Sequence, residues 1–254
     1  MNPTLSYHVL EFTGAGYRRQ ETPIIRETSL RILVNGKDLI SLQCSGTHPH
    51  FLATGFLFSC GIITSAQDVT ALEVDEKADA FEVRVALRES SVRLDGLTVT
   101  SGLGWNTQPG RSELRPLPDS SGFRLRSEAI LQLAQELHAR SDLYRLTRGC
   151  HNASLCSPEA MLLFRSDIGR HNAIDTIVGQ CLVENIRLDD KLLLSTGRIA
   201  SEIVCKAVRA GVPALASTSM PTSQAIEYAK RYNLTLIGNI TESGFCVYSD
   251  NERL

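Results

Sequence analysis

The chain is 254 residues long and 43% hydrophobic, a share typical of globular proteins, and this length accommodates one large or two modest domains. Its 26 basic and 28 acidic residues give a net charge of -2, which disfavours nucleic acid as a partner because such binding needs a basic excess. No apolar run reaches the roughly 20 residues of a membrane helix, and the N-terminus does not resemble a signal peptide. We therefore expect a cytoplasmic protein with no membrane partner.

The first hundred residues carry strand and turn patterns. Apolar and polar residues alternate over residues 30–34, and Asn35-Gly36 follows, which predicts a strand entering a tight hairpin turn. Residues 82–87 and 92–94 predict further strands. Residues 51–57 are compatible with a short buried helix, although periodicity alone does not distinguish it from a strand. These patterns predict a β-rich N-terminal domain.

A break in the pattern divides the chain into two domains. Three prolines with several glycines and serines interrupt residues 106–122, which is typical of a linker. We therefore assign residues 1–105 to the N-terminal domain and residues 123–254 to the C-terminal domain. A helix is predicted to open at Ser127, a residue type that suits the N-cap position.

The C-terminal domain alternates apolar strands with amphipathic helices. Continuously apolar strands in such an alternation predict a parallel sheet covered by helices on both faces. The predicted strands are residues 160–164, 191–194, 212–216 and 234–237, with a further edge strand at 245–248. The predicted helices cover residues 174–182, 200–208 and 221–232.

Polar loops follow three of these strands, at residues 165–172, 195–198 and 217–222. Ligands gather where parallel strands end, and free N–H groups at helix N-termini suit phosphate. Arg170 and Arg198 would add bidentate contacts to phosphate oxygens. The loops therefore predict a ligand that bears phosphate. Each loop also has a structural interpretation, since Ser, Thr and Asn are ordinary helix caps and Asp residues fix turns.

Three motifs in this region resemble the FdhD family closely and in the family's order. They are Asp-Ile-Gly-Arg-His-Asn-Ala-Ile-Asp at 167–175, Ser-Thr-Gly-Arg at 195–198 and Ala-Gly-Val-Pro at 210–213. The resemblance implies an α/β protein with a cytidine-deaminase-like three-layer C-terminal domain. It also implies a smaller β-rich α+β N-terminal domain and a homodimer.

FdhD proteins are accessory sulfurtransferases of formate dehydrogenase. The resemblance implies that sulfur passes from a cysteine desulfurase to the molybdenum bis(molybdopterin guanine dinucleotide) cofactor, which is bound as a client. A guanine nucleotide alone is the second ligand candidate, and the phosphates of both agree with the loop chemistry. The residues expected to bind this ligand are Asp167, Gly169, Arg170, His171, Asn172, Gly197, Arg198, Thr222, Asn239, Ile240, Thr241, Glu242, Ser243 and Gly244.

The persulfide cysteine of the family is replaced in this chain. The family segment Thr-Ser-Gly-Cys-Gly matches residues 100–104, where Leu103 takes the place of the cysteine. Cys150 beside His151 is the alternative nucleophile, because a neighbouring imidazolium would lower the pKa of a thiol. The structural interpretation of Cys150 is that of a small buried residue. The sequence thus leaves open whether the chain is itself a sulfurtransferase.

Two other functions compete with sulfur transfer. A non-catalytic relative would bind and escort the molybdenum cofactor or a guanine nucleotide without moving sulfur. A zinc deaminase would need His-x-Glu and Pro-Cys-x-x-Cys, and this chain has neither. The seven scattered cysteines also disfavour a four-cysteine zinc site or a disulfide framework, so we expect no zinc and no other metal. Cys150, His151 and Cys156 form only a weak metal-binding pattern.

Overall fold

The structure is a computed structural model that describes residues 2–88, 114–119 and 122–254, together with the backbone of residues 98–99 and 105–106. The predicted strand at 92–94 and position 103 lie outside the described residues. The strands are β1 (Thr4–Thr13), β2 (Gly16–Ile25), β3 (Thr28–Val34), β4 (Lys37–Cys44), β5 (Val69–Glu76), β6 (Ala80–Leu87), β7 (Thr98–Val99), β8 (Trp105–Asn106), β9 (His151–Cys156), β10 (Met161–Asp167), β11 (Leu192–Ser195), β12 (Ala214–Ser217), β13 (Thr235–Gly238) and β14 (Cys246–Ser249). The α-helices are α1 (Pro49–Ser59), α2 (Ser127–Ala139), α3 (Asp142–Thr147), α4 (Arg170–Val183), α5 (Ser201–Ala210) and α6 (Ser223–Arg231). None of these helices is both long and apolar enough to cross a lipid bilayer.

The N-terminal half contains a four-stranded sheet in the order β4-β3-β6-β5. The predicted hairpin is confirmed, because Asn35 and Gly36 connect β3 to β4 with φ values of 49° and 77°. Residues 51–57 belong to the buried helix α1. A separate hairpin of β1 and β2 precedes this sheet, and the sequence patterns did not predict it.

The C-terminal half contains a six-stranded sheet in the order β10-β9-β11-β12-β13-β14. Parallel pairing is confined to β11, β12 and β13. The prediction of a parallel sheet is wrong for β10, β9 and β14, which pair antiparallel with their neighbours. Residues 160–164 were predicted as a buried strand, but β10 is an antiparallel edge strand with partly exposed side chains. Strand β9, which the sequence patterns did not predict, lies between β10 and β11. Its sequence contains polar residues and therefore lacks the continuous apolar run by which the other strands were predicted.

Helices cover both faces of this sheet, which confirms the predicted three-layer α/β class. Alternate residues of one strand face opposite layers: Leu193 packs toward α1, α4 and α5, whereas Leu192 and Leu194 pack toward α2. The buried face of α2 matches the predicted apolar stripe. Its N-cap is Arg126 rather than the predicted Ser127, and no side chain caps the helix there.

The two halves meet where α1 crosses α4 at backbone contact. A Cβ on Gly55 would lie 1.8 Å from the carbonyl oxygen of Asp175, and a Cβ on Gly179 would lie 1.9 Å from that of Phe51. Beside this crossing, the buried Asp175 carboxylate accepts hydrogen bonds from Ser59 Oγ, at 2.6 Å, and from the Lys206 ammonium. The crossing therefore joins α1 to α4, and the ion pair joins both to α5.

The close crossing predicts a large effect for Gly179→Ala. The added methyl group overlaps the backbone of α1, so we expect the free energy of unfolding to fall by about 3 kcal/mol or more. Denaturant unfolding measures this change. Gly244→Ala is the matched control, since a Cβ there meets nothing within 4 Å, and we expect it to stay within about 0.5 kcal/mol of wild type. Equal stability of the two variants would contradict the proposed contact.

Candidate functional site

The three predicted polar loops converge at one edge of the C-terminal sheet. Strands β11 and β12 end side by side, with Ser195 opposite Ser217. Ser217 Oγ donates a 2.7 Å hydrogen bond to the carbonyl of Gly197, and Ser219 Oγ donates a 2.9 Å bond to that of Thr196. The loops after these two strands are thus hydrogen-bonded to each other, as expected from their positions at the ends of neighbouring parallel strands.

Asp167 fixes the loop between β10 and α4. Its buried carboxylate accepts hydrogen bonds from the Gly169 amide at 2.9 Å, which closes an Asx-turn, and from Asn172 Nδ2 at 2.8 Å. It also accepts bonds from the amide and the hydroxyl of Ser45, at 2.9 and 3.0 Å. Burial raises the pKa of Asp167, and these four donors oppose that rise. The loop is therefore held against the N-terminal half.

A cavity of about 460 Å³ opens beside these loops, a size typical of small-molecule sites. Its lining residues are His138, Tyr144, Arg148, Gly149, Cys150, His151, Asn152, Ile168, Thr196 and Thr218. The end of α2 and the short helix α3 supply His138 and Tyr144, which the sequence interpretation missed. The sequence feature that could have predicted α3 is Ser141-Asp142, because serine is common at the N-cap and aspartate in the first turn of a helix.

Arg148 lines this cavity, and Arg170 and Arg198 lie on the neighbouring loops. Arg148, in the left-handed conformation, places its guanidinium 5.3 Å from the ring centroid of Tyr144. Arg170 is half-buried and lies against Gly197, since a Cβ added to Gly197 would be 2.7 Å from the Cβ of Arg170. Arg198 is exposed. Among the described residues, no carboxylate lies within 4 Å of any of the three guanidinium groups.

The arginine electrostatics favour an anion. Burial lowers the pKa of Arg170, and the neighbouring charge of Arg198 lowers it further, whereas Glu202 acts in the opposite direction. Two positive groups held this close repel each other, and a bound anion would relieve that repulsion. Planar guanidinium groups match phosphate oxygens in particular.

Cys150 and His151, the predicted nucleophile pair, both line the cavity. Cys150 is only 5% exposed, and burial, together with the Asp167 charge, raises the pKa of its thiol to about 11. Burial and the Arg170 charge lower the pKa of His151. The surroundings therefore favour a neutral thiol beside a neutral imidazole, which is opposite to the thiolate–imidazolium pair of an activated cysteine.

None of the predicted ligand residues is among those that line the cavity, and several of them have structural contacts. His171 and Asn172 are buried in the first turn of α4, and Asn172 Nδ2 also donates a 2.8 Å hydrogen bond to the Gln43 carbonyl. Thr222 caps α6 by accepting a 3.3 Å bond from the Ala225 amide. Gly169 and Gly197 shape the two loops that meet at Arg170.

The predicted segment 239–244 forms the loop after β13. The Asn239 amide donates a 3.1 Å hydrogen bond to the Ser219 carbonyl, which places the start of this segment beside the third polar loop. Ile240 packs into the core on the α2 side. A turn closed by the 2.8 Å bond from the Thr241 amide to the Gly244 carbonyl leaves the side chains of Glu242 and Ser243 exposed.

The weak metal-binding pattern of Cys150, His151 and Cys156 does not converge. Cys156 ends β9 and packs in the core on the α2 side, whereas Cys150 precedes the other end of the same strand. Within residues 2–88, 114–119 and 122–254, no three His, Cys, Asp or Glu side chains are grouped closely enough to hold a metal ion.

Comparison with known proteins identifies the family of this chain. The model of the FdhD/NarQ family matches residues 25–254. The chain belongs to the FdhD/NarQ family. Two relatives named sulfur carrier protein FdhD come from Bacillus licheniformis and Bacillus subtilis, at 32% and 33% identity. The first alignment covers 100% of this chain and 98% of the relative, and the second covers 92% and 91%.

A solved structure shares the fold of this FdhD/NarQ member over its whole length. It is the crystal structure of a protein from Desulfotalea psychrophila that is described as a formate dehydrogenase accessory protein. The two chains superpose with a TM-score of 0.80 at 22% identity, and each chain is covered completely. This likeness confirms the predicted fold class.

The buried thiol predicts slow alkylation of Cys150. At neutral pH we expect iodoacetamide to modify Cys150 far more slowly than the exposed Cys246, because a thiol reacts as its thiolate. Asp167→Asn removes a negative charge that opposes the Cys150 thiolate, so it should lower the pKa and speed alkylation by up to about tenfold. Peptide mass spectrometry measures each site. The buried Cys181 should stay unmodified, since its labelling would indicate unfolding, and equal rates at Cys150 and Cys246 in wild type would contradict the prediction.

Proposed function

We propose that this chain is an accessory factor for formate dehydrogenase that binds a guanine dinucleotide arm of the molybdenum cofactor at the cavity described above. It receives sulfur from a cysteine desulfurase and transfers it to that cofactor. The observation that carries the binding part of the proposal is a nucleotide-sized cavity that Arg148 lines, with Arg170 close enough to lower the pKa of His151 in its wall and Arg198 close to Arg170. None of these three guanidinium groups has a carboxylate partner within 4 Å among the described residues.

The cavity chemistry supports a nucleotide rather than a simple anion. Arg170 and Arg198 offer guanidinium groups near the N-termini of α4 and α5, which favour phosphate through their free N–H groups. Tyr144 provides an aromatic ring, and Asn152 and Thr196 provide polar groups in the cavity wall. An aromatic ring together with a few polar side chains is typical of sites that bind a base or another planar ring.

The partners follow from the same proposal. The desulfurase is the sulfur donor, formate dehydrogenase receives the finished cofactor, and a second copy of the chain completes a homodimer. We place this activity in the cytoplasm, where reduced thiols persist, and none of the seven cysteines, all of which lie in the described part of the chain, forms a disulfide. The names of the relatives, which are sulfur carriers, support the sulfur part of the proposal.

Cofactor escort without sulfur transfer is the second candidate function. The observation that favours it is the state of the cavity cysteine, since the Cys150 thiol is buried and its pKa is raised. Leu103 occupies the position of the family's usual cysteine. A chain with these properties would still bind the phosphate-bearing arm, because the arginines do not depend on either cysteine position.

Arginine substitution tests the binding proposal. We expect GDP to bind in isothermal titration calorimetry, and Arg170→Ala and Arg198→Ala each to weaken binding about tenfold or more, the usual effect of losing a hydrogen bond to a charged group. Arg187→Ala is the matched control, because Arg187 pairs with Asp189 on the exposed segment after α4. Added salt should weaken GDP binding to wild type. No measurable GDP binding, or equal losses in all three variants, would reject the proposed site.

Sulfur uptake separates the two candidate functions. After incubation with a cysteine desulfurase and cysteine, we expect the intact mass of the wild-type chain to increase by one sulfur atom. Cys150→Ala should lose this increase if Cys150 is the carrier. Because the pKa of Cys150 is raised, uptake through this thiol should increase as the pH rises. GDP binding without any added sulfur would instead establish the escort function.

A further inference from the structure

Arg148 has a backbone conformation that is unfavourable for arginine. It follows the last residue of α3 with a φ of 55° and a ψ of 12°, in the left-handed region where a Cβ causes strain and where glycine is the usual residue at a helix end. Four of the other described non-glycine residues with positive φ are asparagines, which adopt this region more readily. Arginine lacks that advantage, so the conformation of Arg148 lowers the stability of the fold.

Neighbouring contacts hold Arg148 in this conformation. Its amide donates a 2.7 Å hydrogen bond to the Tyr144 carbonyl, and the Gly149 amide donates a 3.2 Å bond to Thr147 Oγ1. Gly149 lies against β2, because a Cβ added there would be 2.6 Å from Cγ2 of Ile25. Strain that the surrounding structure holds in place is common at functional sites, so we searched the surroundings of Arg148 for a ligand.

The strained residue has its side chain in the cavity wall. Arg148 and Tyr144 both line the cavity, and the guanidinium carbon lies 5.3 Å from the centroid of the Tyr144 ring. A guanidinium group against an aromatic face keeps its N–H groups available for a partner in its own plane. The neighbouring Arg145 differs, because it pairs with Asp142 and donates a 2.8 Å bond to the His138 carbonyl. Arg145 therefore has a structural role, whereas Arg148 faces the cavity.

The cavity wall has two parts that differ in the helix ends beside them. The loops before α4 and α5 supply Ile168 and Thr196, and helix N-termini favour phosphate. The part of the wall that contains His138, Tyr144 and Arg148 comes from the last turn of α2 and from the end of α3. Helix C-termini present carbonyl groups with partial negative charge, which disfavours phosphate. Arg148 is therefore placed to contact the base of a nucleotide rather than its phosphates.

We infer that Arg148 recognises guanine by donating two hydrogen bonds to O6 and N7 of the base. This inference rests on the proposed function, because it names the part of the nucleotide that this wall of the cavity binds. Guanine presents two acceptors on this edge, which match the paired N–H groups of a guanidinium. Adenine presents N7 beside an amino group, which is itself a donor, so it accepts only one of the two bonds. Arg148 thereby makes the cavity specific for guanine nucleotides.

Nucleotide analogues test which atoms of the base Arg148 contacts. By isothermal titration calorimetry we expect wild type to bind GDP at least about tenfold more tightly than ADP, and also more tightly than 7-deaza-GDP, which lacks the N7 acceptor. Arg148→Gly should weaken GDP binding about tenfold and abolish the difference between GDP and 7-deaza-GDP. Arg231→Ala is the matched control, because Arg231 lies 5.4 Å from the ring centroid of Tyr232 at the end of α6, and it should change neither affinity.

The outcomes separate this inference from the proposed function. If Arg148→Gly weakens GDP, 7-deaza-GDP and ADP equally, Arg148 contacts phosphate and the inference is overturned. Unchanged GDP binding in Arg148→Gly also overturns it, and both results leave the nucleotide site in place. No binding of GDP to wild type would overturn the proposed site and this inference together.

Thermal unfolding without nucleotide measures the strain at Arg148. Arg148→Ala and Arg148→Gly lose the same guanidinium contacts, but only glycine adopts the left-handed region without strain. We expect Arg148→Gly to melt about 2–4 °C above Arg148→Ala, while both variants lose the preference for guanine to the same extent. A melting temperature of Arg148→Gly at or below that of Arg148→Ala would overturn the strain on which the inference depends.

Discussion

The crossing of α1 and α4 is the constraint on which the rest of the structure depends. Gly55 and Gly179 allow the two helix backbones to touch, so helices from different halves of the chain share one apolar core. The buried ion pair of Asp175 and Lys206 lies beside this contact. Removing either partner would strongly destabilise the fold, because the other charge would remain buried and unpaired. Since α4 begins at Arg170, fixing this helix also fixes the loop that carries the arginine.

The N-terminal half supports the site without lining the cavity. The residues of the cavity wall come from positions 138–218, yet Ser45 holds Asp167 from across the interface with both its amide and its hydroxyl. The carbonyl of Gln43 similarly accepts a bond from Asn172. A change in how the two halves pack would therefore move the loop between β10 and α4, and with it Arg170.

The electrostatics of the site favour binding over nucleophilic attack. Burial and the charge of Arg170 lower the pKa of His151 and so oppose its protonation. Burial, together with the charge of Asp167, keeps the Cys150 thiol neutral. These two effects agree with the proposal that the site binds a phosphate-bearing client, and under that proposal a bound client or a partner would have to lower the pKa of the Cys150 thiol before it could react.

Local sequence patterns determined the elements whose signals are short-range. The Asn35-Gly36 hairpin, the apolar stripe of α2 and the order of polar loops after strands were predictable, because turn preference and periodicity act within a few residues. Membership of the FdhD/NarQ family was also visible in the motif that begins at Asp167. Strand β9 and helix α3 were not, since β9 is polar in sequence and is buried by tertiary contacts, with strands paired on both sides and the helices α2 and α4 packed against it.

The tertiary structure alone decided which residues meet at the cavity. His138 and Tyr144 reach it because α2 and α3 end beside the loops, a placement that no local spacing encodes. The same packing buried His171 and assigned Thr222 to a helix cap. It also raised the pKa of Cys150, because burial depends on long-range contacts that close around the thiol only in the folded chain.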